Sequence, residues 1–213
     1  MYDDWVEIGH QIINKELERD SRPIFLYGLS AGGMLTYHVA AKNRKVKGII
    51  GMTFLDQRQQ QVRDETSYNS FISRYGIPSA QIAVKTMLSR MRLPMKALSK
   101  MHLLVNNPHA LQVWLQDSSS AAKWVTLAFI NSYMNYQPEM EPEDFDVCNV
   151  LLTQPGQDQW TPLHLSEPFL KRITKVDVQI NVLENAGHYP LEQVGILQMH
   201  VVINNFLKQH IDG

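Results

Sequence analysis

The apolar run Ile24-Phe25-Leu26-Tyr27 breaks at Gly28-Leu29-Ser30-Ala31-Gly32-Gly33, and no other stretch constrains the fold of this chain as strongly. The run reads as a buried strand, and Gly33-Met34-Leu35-Thr36-Tyr37-His38-Val39-Ala40-Ala41 reads as a helix directly behind the turn. Strand, tight turn and helix with a Ser at the tip make a candidate nucleophile elbow, in which the Ser takes a strained backbone and its neighbours must be small. Gly28 and Gly32 are expected to supply that room. The helix N-terminus at the turn favours a developing negative charge. The plainer alternative is that Ser30 merely caps the helix, so the case for chemistry depends on partners elsewhere in the chain.

Around the elbow the chain reads as alternating helix and strand. Asp3 or Asp4 is expected to cap a first helix running to about Leu17, with Trp5, Ile8, Ile12 and Ile13 on one face. A second strand is expected over residues 46–54, which makes strand, helix and strand a right-handed parallel crossover. From residue 57 to 146 the periodicity is helical. Pro78 opens a helix with Ala80, Ala83, Val84, Met87, Leu88 and Met91 on one face, residues 109–115 form a shorter one, and Ser119 or Ser120 caps a third carrying Trp124, Val125, Leu127, Ala128 and Phe129. Strands resume over residues 147–153 and 178–183, and a helix over residues 191–207 closes the chain.

The expected class is therefore α/β, a mainly parallel sheet of about four strands interrupted by a helical insertion. Residues 1–56 and 147–213 form the two parts of the core, and residues 57–146 the insertion. Six of the ten methionines fall in that insertion, and they read first as core and second as the lining of an adaptable apolar pocket.

Partners for Ser30 stand where open α/β sheets gather their chemistry, just beyond the carboxyl ends of strands. They are Asp158, in Gly156-Gln157-Asp158-Gln159-Trp160-Thr161-Pro162, and His188, in Ala186-Gly187-His188-Tyr189-Pro190. A serine hydroxyl is a poor nucleophile until an imidazole takes its proton, and the imidazole needs a carboxylate to hold its tautomer and its cationic form. His10, His38, His102, His109, His164, His200 and His210 all lie in or beside predicted helices. Asp56, directly after the second strand, is the rival acid.

A net charge of -1 and a pI of about 6.7 give no field that selects nucleic acid or an anionic membrane, so a small neutral or weakly charged substrate fits better. No apolar run approaches a membrane span, and Met1-Tyr2-Asp3-Asp4-Trp5 has neither part of a signal peptide, so a cytoplasmic location is expected. Cys148, the single cysteine, sits in an apolar run and reads as an inert core thiol. No metal-type cluster is seen, and neither metal nor cofactor is expected.

Gly-Leu-Ser-Ala-Gly-Gly at 28–33, Gly-Gln-Asp-Gln-Trp-Thr-Pro at 156–162 and Ala-Gly-His-Tyr-Pro-Leu-Glu at 186–192 resemble the three signature loops of the α/β-hydrolase superfamily, in the same chain order. The insertion resembles the cap of its monoacylglycerol lipase and lysophospholipase-like branch. The resemblance implies a serine hydrolase cleaving a carboxylic ester of an apolar acyl substrate, such as a monoacylglycerol or lysolipid. Ser30 would attack the acyl carbonyl, His188 act as base and then acid, Asp158 orient it, and the Ala31 N–H donate to the oxyanion. In that superfamily several strands precede the nucleophile strand, and a loop among them gives a second oxyanion donor. No stretch before Ile24 matches that loop. The chain thus resembles the carboxyl-terminal part of such a hydrolase, and the alternative function is a weak or inactive fragment that self-associates or pairs with a missing N-terminal half. The strand from Ile24 to Gly28 is expected to keep an uncovered edge, through which a homodimer would form.

Overall fold

Residues 1–117 and 124–211 are described by the computed structural model. The chain opens with α1 (Tyr2–Arg19), β1 (Phe25–Gly28), α2 (Ala31–Asn43) and β2 (Gly48–Gly51). A long excursion follows, with α3 (Gln60–Thr66), α4 (Ile77–Ala83), β3 (Arg92–Pro94), α5 (Met95–Leu98), α6 (Pro108–Gln116), β4 (Trp124–Thr126) and α7 (Leu127–Met134). It returns through β5 (Asn149–Pro155), α8 (Glu167–Leu170), β6 (Val178–Leu183) and α9 (Gln193–His210).

Strands β1, β2, β5 and β6 form one parallel sheet in that spatial order, so the whole excursion between β2 and β5 joins two neighbouring strands. The α/β class and the parallel sheet are as the sequence predicts. Successive strand residues face opposite sides of the sheet, and the packing follows that period. Leu26, Ile49, Val150 and Leu152 pack with Tyr2, Val6 and Ile13 of α1 and Met34 and Tyr37 of α2. Phe25, Ile50 and Leu151 pack on the other face with Val202, Ile203 and Phe206 of α9. Beneath α1, the Tyr2 hydroxyl lies 2.9 Å from His38 Nδ1, and burial pushes the His38 imidazole down to about 3, so it stays neutral at physiological pH. Cys148 is buried, and its thiol is pushed up to about 12.

The excursion departs from the predicted run of helices. The helix opened near Pro78 ends at Ala83, because the Thr86 hydroxyl donates to the Ala83 carbonyl and accepts from the Leu88 N–H, which starts a separate short turn over Met87–Arg90. Met87, Leu88 and Met91, expected on a buried face, are exposed. Trp124 and Val125, expected on a helix, lie in β4 and pair antiparallel with Pro94 and Leu93 of β3. The β-branched pair Val125-Thr126 suits a strand, and the Thr126 hydroxyl then caps α7 by accepting from the Phe129 N–H. The expected cap at Ser119 or Ser120 lies outside the described residues. On α1, Trp5, Ile8 and Ile12 remain about half exposed, since the face that meets α2 is made by Tyr2, Val6 and Ile13.

β1 lies at the edge of the sheet. The carbonyls of Ile24 and Gly28 accept from Lys47 and Met52 N–H, and in a parallel pair alternate residues bond to the same neighbour, so the backbone groups of Phe25 and Tyr27 point outward. That edge is self-complementary. A two-fold axis through Leu26 would set Phe25 against Tyr27 of a second copy and close four antiparallel hydrogen bonds. Tyr27, Trp5, Ile8, Ile12, Val194, Leu197 and Val201 are each about half exposed. Sedimentation at micromolar concentration is expected to show a dimer that Tyr27→Lys dissociates; a monomeric parent chain would rule the edge contact out.

Candidate active site

At the end of β1 the chain reverses through Leu29 and Ser30 into α2. Ser30 has φ 52° and ψ -126°, a conformation that side-chain-bearing residues rarely adopt. It is held from three sides. Gly32 N–H donates to the Leu29 carbonyl at 2.8 Å, Gly33 N–H to the Ser30 carbonyl at 2.9 Å, and the Thr53 hydroxyl to the same Ser30 carbonyl at 3.0 Å. With those two amides used inside the turn, the Ala31 N–H makes no hydrogen bond among the described residues.

The glycines that make the turn possible differ in part from those expected. A Cβ on Gly28 would stand 2.0 Å from the Gly32 carbonyl oxygen, and one on Gly33 would stand 2.0 Å from the Thr53 carbonyl oxygen. A Cβ on Gly32 would meet nothing within 4 Å. Gly28 and Gly33 are therefore the positions that need glycine for clearance. The first turn of α2 presents residue 33 to the end of β2 and points residue 32 away.

The two loops beyond β5 and β6 are tied to each other before any side chain is considered. Gly156 N–H donates to the Leu183 carbonyl and Gln157 N–H to the Ala186 carbonyl, each at 2.8 Å. The excursion braces both loops, with Tyr189 N–H donating to the Leu104 carbonyl at 2.9 Å and the Asn106 amide to the Gln157 carbonyl at 3.4 Å. The Trp160 ring lies 4.9 Å from the His188 ring, and its indole N–H donates to the Thr66 carbonyl.

Within this frame Ser30, His188 and Asp158 come together. His188 Nε2 lies 2.8 Å from Ser30 Oγ, and His188 Nδ1 lies 2.9 Å from Asp158 Oδ2. An ionised carboxylate only accepts, so Nδ1 carries the proton and Nε2 is left as the acceptor for the Ser30 hydroxyl. The side chains of His188 and Asp158 are almost wholly buried. Burial acts to raise the Asp158 carboxyl, but hydrogen bonds from His188 and Thr161 outweigh it and hold the group below its ordinary value.

The rival acid is engaged elsewhere. Arg58 donates to both oxygens of Asp56 at 2.9 Å and to Glu141 at 2.6 and 2.9 Å, forming a paired, partly buried cluster. Thr161 is the residue of the site that the sequence left without a role. Its hydroxyl lies between Asp158 and His188, and its N–H, with that of Trp160, donates to Asp158 Oδ1 at 2.8 Å. The signal was local, since an Asp two and three residues ahead of free N–H groups, just before Pro162, is the pattern of an Asx turn. Among the described residues no group of three or more His, Cys, Asp or Glu could hold a metal ion, and no helix is long and apolar enough to cross a membrane.

Known proteins share this fold. Among solved structures, the monoacylglycerol lipase of Paleococcus ferrophilus superposes with a TM-score of 0.68 at 18% identity, covering 96% of this chain and 76% of that one. A soluble variant of the Saccharomyces cerevisiae monoglyceride lipase, bound to a substrate analogue, superposes at 0.72 with 16% identity, over 96% and 68%. A thermostable carboxyl esterase of Bacillus coagulans superposes at 0.71 with 12% identity, over 97% and 71%. At such identities the likeness concerns the fold. No curated protein sequence matches this one. The family model described as Serine aminopeptidase, S33 matches residues 1–193, nearly the whole chain. The chain belongs to this hydrolase family, within the α/β-hydrolases and with a likeness to monoacylglycerol lipases.

Proposed function

We propose that the chain cleaves a carboxylic ester of an apolar acyl substrate, such as a monoacylglycerol or lysolipid, through Ser30, His188 and Asp158 and an acyl-enzyme. The observation that carries this reading is the unbroken hydrogen-bond line from Ser30 Oγ through His188 to Asp158, with spacings of 2.8 and 2.9 Å. Ser30 Oγ attacks the acyl carbonyl carbon as its proton passes to His188 Nε2. The resulting imidazolium is steadied by Asp158, and the Ala31 N–H donates to the oxyanion. Collapse of the tetrahedral adduct breaks the ester C–O bond, and the Nε2 proton leaves with the alcohol. Water, deprotonated by the same nitrogen, then attacks the acyl-Ser30 carbonyl; the C–Oγ bond breaks, the Nε2 proton returns to Ser30 Oγ, and the acid is released. The names of the structural neighbours support an ester substrate, and the contacts of Leu104 and Asn106 with the His188 and Asp158 loops support the excursion as a cap over the site.

A fluorophosphonate probe and a panel of chromogenic acyl esters test the proposal, with aminoacyl amides as a second arm because the family model is described as an aminopeptidase. Stoichiometric labelling at Ser30 with ester cleavage supports it, and absence of labelling refutes it. Among the described residues Ala31 is the one oxyanion donor identified, so turnover by this chain alone is expected to be weak. Loss of such a donor typically lowers turnover about 10²- to 10³-fold. Ester cleavage at the rates of efficient hydrolases would show that a second donor is at work.

A further inference from the structure

Asp158 Oδ2, His188 Nδ1 and Thr161 Oγ1 form a closed triangle, with 2.7 Å between Thr161 and Asp158, 2.9 Å between Asp158 and His188, and 3.0 Å between Thr161 and His188. All three residues are buried, so no bulk water completes their hydrogen bonds. The protons available decide how the three sides are filled. The carboxylate has none, the Thr161 hydroxyl has one, and the imidazole has one at Nδ1. Oδ2 is the strongest acceptor and takes the Thr161 proton at the shortest side and the Nδ1 proton at the next. The third side can then be filled in one way only, with the Thr161 oxygen as a second acceptor for the same Nδ1–H.

We propose that Thr161 is a positioning residue for the reaction, its hydroxyl bracing the Asp158–His188 pair from the side. The inference rests on the Ser30–His188–Asp158 reading above and adds a fourth side chain to it. When Nε2 takes the Ser30 proton, the Nδ1–H becomes a stronger donor, and two fixed acceptors share it instead of one. The same hydroxyl, by donating to Oδ2, keeps the acid ionised and acceptor-only, so the Nδ1 proton stays on the ring. It also blocks the in-plane swing of the carboxylate that would let the imidazole rotate away from Ser30.

The Asp158 loop does not depend on this hydroxyl for its shape. Its turn is held by the backbone N–H groups of Trp160 and Thr161 on Oδ1, and the Thr161 carbonyl accepts from the Gln154 amide at 3.1 Å. Thr161→Val, which keeps the shape of the side chain and removes its hydroxyl, is therefore expected to fold. Thr161→Ala supplies a second hydroxyl-free protein should the valine variant not do so.

The experiment compares the full chain with Thr161→Val, Thr161→Ala and Thr161→Ser on a p-nitrophenyl ester, with active sites counted by fluorophosphonate and the His188 Nδ1–H followed by proton NMR. Loss of the hydroxyl is expected to lower kcat per active site about 10-fold, with KM within about two-fold, in line with one lost hydrogen bond to a charged pair. The Nδ1–H resonance should shift in both hydroxyl-free variants, and Thr161→Ser should restore the parent kcat and resonance. A hydroxyl-free variant that melts at a lower Tm yet matches the parent in kcat and resonance would make Thr161 a structural residue only and overturn the proposal. A parent chain that takes no fluorophosphonate would instead overturn the triad reading, and the role of Thr161 with it.

Discussion

Replacing Ser30 with Ala is expected to abolish fluorophosphonate labelling and to remove all ester cleavage above background, a loss on the order of 10⁶-fold when nucleophile and base act as one unit. Labelling stoichiometry is the decisive measurement, because it counts reactive Ser30 independently of the turnover rate. The variant should fold as the parent does, since the turn is held by backbone bonds from Gly32 and Gly33 and by the Thr53 hydroxyl, none of which uses Ser30 Oγ. His188→Ala should match it in activity. Asp158→Asn should lower kcat by about 10⁴-fold, because an amide in that place can present its NH₂ to Nδ1 and favour the wrong tautomer. The acid also has a signature in stability. Its carboxyl is held below the ordinary value in the folded chain, so its contribution is present at neutral pH and fades as pH falls from the ordinary carboxylate range through the lowered one. Thermal melts of Asp158→Asn across that range should lose part of the parent's acid dependence. Persistent labelling of Ser30→Ala, or a full-rate Asp158→Asn, would contradict the assignment.

Gly33→Ala and Gly28→Ala are expected to have the largest effects on folding. In each the new methyl carbon would stand 2.0 Å from a carbonyl oxygen, of Thr53 in the first case and of Gly32 in the second. Those oxygens belong to backbone, so relief requires α2 to lift from the end of β2 or the turn at Ser30 to open. Overpacking of this kind typically costs about 1–3 kcal/mol and more where backbone must move, a large share of the stability of a single domain. We expect a loss of more than about 3 kcal/mol in denaturant melts, together with loss of labelling, because the same shift takes Ser30 Oγ away from His188. Gly32→Ala is the internal control. Its methyl meets nothing within 4 Å, and both stability and labelling should stay close to the parent's. A destabilised Gly32→Ala beside a stable Gly33→Ala would invert this account of the turn.

Local sequence determined the parts of this protein whose physics is local. An apolar strand, a glycine-flanked Ser and an apolar helix in succession could fold into little else than a strand-to-helix elbow, and the sheet strands could be found because each is a short apolar run closed by turn residues. The order of Ser30, Asp158 and His188 after three such strands was legible for the same reason, since parallel strands carry whatever follows them to one end of the sheet. Tertiary structure decided what depends on contacts between distant residues. Which glycine needed clearance turned on the Thr53 carbonyl, 20 residues from Gly33, and periodicity within α2 could not distinguish Gly32 from Gly33. Trp124 and Val125 became a strand because Leu93 and Pro94 were there to pair with, and isolated short apolar segments fit helix and strand alike. Asp158 was preferred to Asp56 from its place in the sequence, but only the structure shows what Asp56 does instead, with both its oxygens held by Arg58. The Thr161 hydroxyl gained its place only when the β6 loop brought His188 to within 3.0 Å of it, because a buried hydrogen bond is specified by three-dimensional position and not by the residue type that makes it.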